Sequence, residues 1–403
     1  MKRISSILFC ALIAAACGPG KQTPVQGQSS DDAVAGPVPF SGGITAPEIP
    51  NVPFTMAGGG PRRHHRSTAT GPVQEPVVLH TFDTGNRVFA SPVIGPDGTV
   101  YVGSVDGTFN ALRSDGTLRW SWVCEEPIFS TAAISAGGVV YTGCDDDTLT
   151  AFTADGVRRF SYPVTHDMDA SPVIDEDGTI YAGGDGLHAI TSGGARRWKA
   201  LTGGHVNSGP AVRSDGAVVV GSHDHRLYAF DRDGTALWAF GAGAPIEGTP
   251  AVMDNDDVIF GADSGFIYRI SAREGGLRWK CDAGGAVKGG IAVSADEQTV
   301  YAGTMAGDII AIEAQNGARR WTRSTGGPVR ATPMLDANGH LFVGSRDHHL
   351  YGIEAETGGV LWRKDLMAEI DSTVALYGEG RLVVGCDNGI IYWLGPAPGE
   401  ATR

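Results

Sequence analysis

Few residues in this 403-residue chain have the types and spacing for chemistry. His223-Asp224-His225 and Asp347-His348-His349 each bring two imidazoles beside a carboxylate, a donor set that suits a transition metal. A metal site needs three or four ligands and an outer layer of groups that orients them. These triplets lie far apart in the chain, so polar turns are the expectation. Asp145-Asp146-Asp147, Asp175-Glu176-Asp177-Gly178 and Asp254-Asn255-Asp256-Asp257 look like calcium ligands, yet none runs on to a distal Glu. They too are expected to be turns. The chain has no Cys-x-x-Cys-His, His-Glu-x-x-His, Gly-x-Ser-x-Gly or phosphate-loop pattern. No catalytic, metal-binding or cofactor-binding residue is therefore assigned, and the expectation is a protein that is not an enzyme.

One series of positions carries a different signal: Phe89, Phe129, Asp169, Asn207, Glu247, Lys288, Arg330 and Asp371. Each follows Val, Ile or Met and precedes Ala, Ser or Gly, so variation is confined to one position against a uniform background. Two readings stand side by side. The series is a surface tuned to a partner, with Phe89 and Phe129 as its aromatic anchors. Alternatively it is a solvated polar funnel, with the two rings plugging an axis.

The elements that place this series come from a repeat. The residue before each member recurs at Val88, Ile128, Met168, Val206, Ile246, Val287, Val329 and Ile370, at intervals of 38 to 42 residues. In the first unit, apolar runs Ala90–Ile94, Thr99–Val102, Phe109–Leu112 and Thr117–Trp122 are separated by Asp97-Gly98, Asp106-Gly107 and Asp115-Gly116. Asp-Gly between β-branched and aromatic runs is a strong hairpin signal. Each unit is thus a four-stranded antiparallel meander, and the period is that of a β-propeller. The eighth unit stops after three strands. Pro76–Phe82 keeps the spacing of the missing fourth, with His80 where other units have Trp or Phe. The fold expected is all-β: an eight-bladed β-propeller over 77–395, its last blade closed by the N-terminal strand, with a C-terminal tail at 396–403. Closure removes the unpaired edges that an open array would leave.

Before the ring, Met1-Lys2-Arg3 and the apolar run to Ala16 have the form of a secretory signal, too short to span a bilayer. Ala14-Ala15-Ala16-Cys17 resembles a bacterial lipobox, with Ala14 where Leu is more usual. Residues 1–17 are expected to be a lipoprotein-type signal with Cys17 the lipidated residue and a membrane anchor; simple cleavage near Ala16 is the alternative. Gly18, where Asp would hold a lipoprotein at the inner membrane, implies the outer membrane. Residues 18–76 are Gly-, Pro- and Ser-rich and read as a disordered tether, with a coil reach of about 40 Å. Its basic patch Arg62-Arg63-His64-His65-Arg66 reads as solvated or as touching anionic head groups, with a metal or nucleic-acid role as the lesser reading. The formal charge of -14 argues against nucleic acid. Of six cysteines, Cys124 and Cys144 fall on one face of the ring and are expected to pair. Cys281 and Cys386 are expected to be free.

Ala229–Trp238 carries Gly-x-x-x-Trp after a third-strand Ala, as do Ala311–Trp321 and Ala111–Trp120. With Ser91-Pro92-Val93 and Ser171-Pro172-Val173, this resembles the tryptophan-docking repeat of pyrroloquinoline-quinone-like propellers, across all eight units. Quinoprotein dehydrogenases of that fold use adjacent bonded cysteines, calcium on carboxylates and a catalytic Asp. Here no two cysteines are adjacent. The signal, the length and the eight units are similar to the BamB family, accessory lipoproteins of outer-membrane β-barrel assembly; the long tether departs from that pattern. The resemblance implies a monomeric, exported envelope scaffold, facing the periplasm or the surface, with a protein or peptide partner. The alternatives are a quinone-dependent oxidoreductase and a glycan-binding propeller.

Overall fold

The computed structural model describes residues 55–378 and 380–397. The expected signal, Cys17 and most of the expected tether lie outside the described residues. The described strands form eight four-stranded sheets. Blade 1 runs Val93–Ile94, Val100–Gly103, Thr108–Leu112 and Leu118–Val123, from channel to rim. Its turns work as their residues dictate. Gly98, Gly107 and Gly116 take φ of 78, 82 and 79°, a region open to glycine at no steric cost. The preceding Asp97, Asp106 and Asp115 accept the amide two residues on.

The acidic and histidine-bearing motifs are turns of the same kind. Asp146, Asp177, Asp224 and Asp347 each accept the amide two residues on. Asp147, Asp256, His225 and His348 take the left-handed position that glycine fills elsewhere.

Two recurring contacts set the ring. The Gly that ends every second strand faces the first inner residue of the next blade. A Cβ on Gly103 would lie 2.2 Å from Ile128, and one on Gly344 would lie 2.3 Å from Ile370. Gly385 meets Val88 in the same way, joining the eighth blade to the first. At the rim, the outer-strand rings of blades 1 to 6 lie over the turn glycine of the following blade, as with Trp120 over Gly156, Trp198 over Gly234 and Trp321 over Gly358. The Gly-x-x-x-Trp spacing thus records two successive seams, since the Gly receives one ring and the Trp offers the next.

Val77–Asp83 pairs antiparallel with Ile390–Gly395 and completes the eighth blade, with His80 opposite Trp393. In this blade the large ring has moved from the outer strand to the third. Trp393 is fully buried and, with His80, packs on Gly116 of blade 1.

Two expectations need correction. The innermost strands are short: only Val93–Ile94 of the run Ala90–Ile94 joins the ladder. Pro92 has no amide to donate, and the residues before it line the channel. More consequentially, the expected boundary at residue 76 fails on the described part, because residues 55–72 are ordered against the ring. Backbone carbonyls of Thr55, Pro61, Arg62, His64 and His65 accept the amides of Ile134, Val212, Val252, Val293 and Leu335, one from each of five blades. Those amides lie on the channel-facing edge of the innermost strands, where they would otherwise lack a protein partner. The basic patch is accordingly not a solvated run. Arg63 and His65 are buried, and Arg62 pairs with Asp254 at 3.0 Å.

Candidate functional site

Phe89, Phe129, Asp169, Asn207, Glu247, Lys288, Arg330 and Asp371 converge on one mouth of the channel, around a cavity of about 290 Å³. Each stands on the extended segment before an innermost strand, one residue past the buried Val, Ile or Met of the seam. The seam fixes the backbone and frees the next side chain to point at the axis. That is why the position varies while its neighbours do not.

The charges are mostly matched within the chain. Lys288 Nζ lies 2.6 Å from Glu247 and 2.9 Å from Asp263. Burial works against its charge, but the bonds to Glu247 and Asp263 outweigh burial and hold the ammonium above its usual pKa. Arg330 lies 3.5 Å from the other Glu247 oxygen. Arg346 grips Asp371 through two bonds of 2.9 and 2.7 Å, the fork geometry that makes guanidinium–carboxylate pairs strong.

The opposite sector is different. Phe89 and Phe129, on adjacent blades, meet with ring centroids 5.6 Å apart and tilted by 43°. Both are half-buried. Val105 is half-buried in the adjacent turn, Val123 ends the outer strand of blade 1 at 64% exposure, and Met367 stands in the loop entering blade 8 at 79% exposure. Beside the phenyl pair, Asp145 and Asp169 adjoin across the seam between blades 2 and 3. Burial and then the charge of Asp169 push Asp145 up to about 8. Burial raises Asp169 as well. Both carboxyls thus hold their protons more tightly than ordinary carboxylates do. Asn207 donates to Asp169 at 2.8 Å. Further round, the imidazoles of His166 and His205 stack at 3.4 Å between centroids.

Asp145, Asp263, Arg346 and Asp387 form part of an outer ring at this mouth that was not among the expected site residues. Each stands two residues after the Gly that ends a second strand. The same position holds Val105, His223 and Met305 in other blades, so its variability was there to be read. Burial and the charge of Asp371 push Asp387 up to about 6.

Cys124 and Cys144 are bonded to each other on this face. With Asp146 they form the one close group of three metal-ligating side-chain types among the described residues. The disulfide removes both sulfurs as thiolate ligands. Cys281 is free and partly exposed, and Cys386 is free and buried.

Below the mouth a chamber of about 140 Å³ is floored by Ala57 and His65. A partner entering from the mouth can thus meet residues of the chain's own N-terminal segment.

Ring, docked tryptophans and variable mouth define the class: an eight-bladed propeller of pyrroloquinoline-quinone-like repeats. The family described as outer membrane protein assembly factor BamB matches residues 74–192, 185–334 and 263–402. The chain belongs to that family. No curated protein sequence matches it. Among solved structures, BamB from Moraxella catarrhalis is 17% identical with a TM-score of 0.67, over 79% of this chain and 99% of that one. A europium-containing methanol dehydrogenase is 14% identical with a TM-score of 0.74, over 85% and 98%. The quinohemoprotein alcohol dehydrogenase of Comamonas testosteroni is 14% identical with a TM-score of 0.74, over 87% and 82%. At these identities the likeness is one of fold.

Proposed function

We propose that this chain is a non-enzymatic, lipid-anchored scaffold of the cell envelope that binds a protein or peptide partner at the channel mouth, in outer-membrane protein assembly. Membership of the BamB family supports the setting. The observation that carries the binding reading is the phenyl pair. The bases at the mouth already have carboxylate partners, so a partner gains little by replacing them. Phe89 and Phe129 are half-buried apolar surface, packed against each other at the mouth. Covering such a pair is a large source of binding free energy in interfaces, where a few aromatics dominate.

A photocrosslinking residue at Phe89 or Phe129 tests this in the native envelope. The expected result is one dominant protein adduct from both positions, absent from a control at Thr357 on the rim, and weakened by alanine at the other phenylalanine. Identical adducts from mouth and rim would overturn it.

Likeness to two dehydrogenases favours a second reading, a quinone-dependent oxidoreductase. The donor set weighs against it: the one close group of three metal-ligating side chains among the described residues is Cys124, Cys144 and Asp146, and its two sulfurs are bonded to each other. Titration with the quinone and calcium, followed by absorbance and dye reduction, separates the readings: a stoichiometric spectral change would favour the enzyme.

A further inference from the structure

The repeat is interrupted in two places, and both face the N-terminal segment. Two residues past each mouth position, six blades carry a hydroxyl: Ser91, Thr131, Ser171, Thr249, Thr332 and Thr373. These build a girdle round the channel. Ser91 N–H donates to Thr131 at 2.9 Å, Thr131 N–H to Ser171 at 3.1 Å, and Thr373 N–H to Ser91 at 2.9 Å. The other two blades have Gly209 and Gly290. Neither has a positive φ, so the backbone does not require glycine there.

At Gly290 what requires it is the segment. A Cβ on Gly290 would lie 2.8 Å from His65 Cε1. At Gly209 the tight neighbours of an added Cβ belong to the ring, Thr249 Oγ1 at 2.8 Å and the Ser171 carbonyl at 3.2 Å, with an Arg63 Nη2 in ordinary contact at 3.5 Å. Where the girdle opens at Gly209, the Arg63 guanidinium enters. It donates to the carbonyls of Pro210, Ser171 and Pro172 at 3.0, 2.8 and 2.9 Å, and to Ala57 at 2.6 Å. This side chain is fully buried, and its hydrogen-bond partners are all carbonyls. Burial lowers it to about 9, still charged at neutral pH. Where the girdle opens at Gly290, the buried His65 ring enters, and its Nδ1 is shared between the carbonyls of Arg63 and Ile291. Arg63 and His65 both take left-handed φ, 60 and 49°, which only a surrounding structure that demands it sustains.

We propose that this end of the channel is a peptide-binding ring, shaped for a kinked segment with an arginine and a histidine two residues apart, and that residues 55–72 of the same chain are its resident ligand. The inner-strand amides supply the register, as in strand addition to an exposed edge. The slots at Gly209 and Gly290 supply the specificity. The family match begins at residue 74, so this segment is no part of the pattern by which the family is recognised. A bound segment of this kind clasps blades 2 to 8 together and reserves the mouth for other partners.

Trypsin reads the clasp directly, since Arg62, Arg63 and Arg66 are its sites. In the full chain, cleavage there is expected to be slow. Gly290→Thr restores the repeat's hydroxyl and should speed cleavage at least tenfold with the ring's circular dichroism unchanged. Adding His65→Ala to Gly290→Thr should bring it back toward the wild-type rate. A labelled peptide of residues 55–72 should bind the full-length Arg63→Ala variant, whose guanidinium slot is empty, and not the wild type. The same peptide with Arg63→Ala should fail to bind either. Wild-type cleavage in Gly290→Thr, no rescue by His65→Ala, or equal binding of both peptides would each overturn the proposal. If Arg63→Ala does not fold, the Gly290 and His65 pair decides alone.

Discussion

The indole of Trp362 donates its Nε1 proton to the carbonyl of Pro72, 290 residues earlier, at 2.7 Å. The same bond at the other seams is local. Trp120 reaches Ala154, Trp238 reaches Ala272 and Trp321 reaches Ala355, each 34 residues on. At the seam between blades 7 and 8 the following turn does not exist, because the chain breaks there. The N-terminal segment supplies the missing acceptor just before it enters the eighth blade.

Trp362→Phe keeps most of the buried ring and removes the donor. We expect a loss of about 1 kcal/mol, the usual net value of one hydrogen bond, with faster amide exchange confined to residues 70–76 and blade 8. Trp362→Ala also opens a cavity and should cost about 3–5 kcal/mol. Urea unfolding measures both, and equal losses for the two variants would contradict this account.

Two turn glycines separate backbone strain from packing. Gly178 has φ of 80° and nothing within 4 Å of an added Cβ, whereas Gly234 has φ of 84° and the Trp198 ring at 2.7 Å. Gly178→Ala should cost about 1–2 kcal/mol, the left-handed penalty alone. Gly234→Ala should cost about 1–3 kcal/mol more, the range for overpacking. Thermal and urea midpoints for the two variants test the difference.

Reduction of the Cys124–Cys144 disulfide frees a loop closed by a separation of 20 residues. The chain-entropy account gives about 3 kcal/mol, read as a lower melting temperature in reductant. Burial pushes the Cys386 thiol well above its usual pKa. A thiol reagent should therefore label Cys281 in the native protein and leave Cys386 unmodified until unfolding.

Asp145 is pushed up to about 8, chiefly by burial and then by Asp169. Between the ordinary carboxylate range near 4 and that value, the folded state binds a proton that the unfolded state releases. Its contribution to stability is therefore complete below about pH 4 and is lost as pH rises toward 8. Asp145→Asn should flatten the fall in melting temperature over that interval. A variant that tracks the wild type at every pH would show that the pair holds no proton.

Much of the architecture was readable because it is local. Asp-Gly turns, alternating apolar runs and a cadence near forty residues specify each blade from its own residues, and His80 kept the spacing that marks Val77–Asp83 as the missing strand. The convergence of Phe89 with Phe129, and of Lys288 with Arg330, followed from the same register, since one repeated backbone position must point the same way in every blade. The pairing of charges did not follow. Lys288 with Asp263 and Arg346 with Asp371 are contacts between residues 25 apart in sequence, set by how neighbouring loops crowd the mouth.

The N-terminal segment marks the limit most sharply. By composition residues 55–72 cannot build a core, and an arginine-histidine run in such a stretch is ordinarily solvated. Local pattern determined the blades because hairpins satisfy their own hydrogen bonds. Only tertiary structure decided the fate of Arg63 and His65, because their partners, the carbonyls of Ser171, Pro210 and Ile291, lie more than a hundred residues away and come together only once the ring has closed.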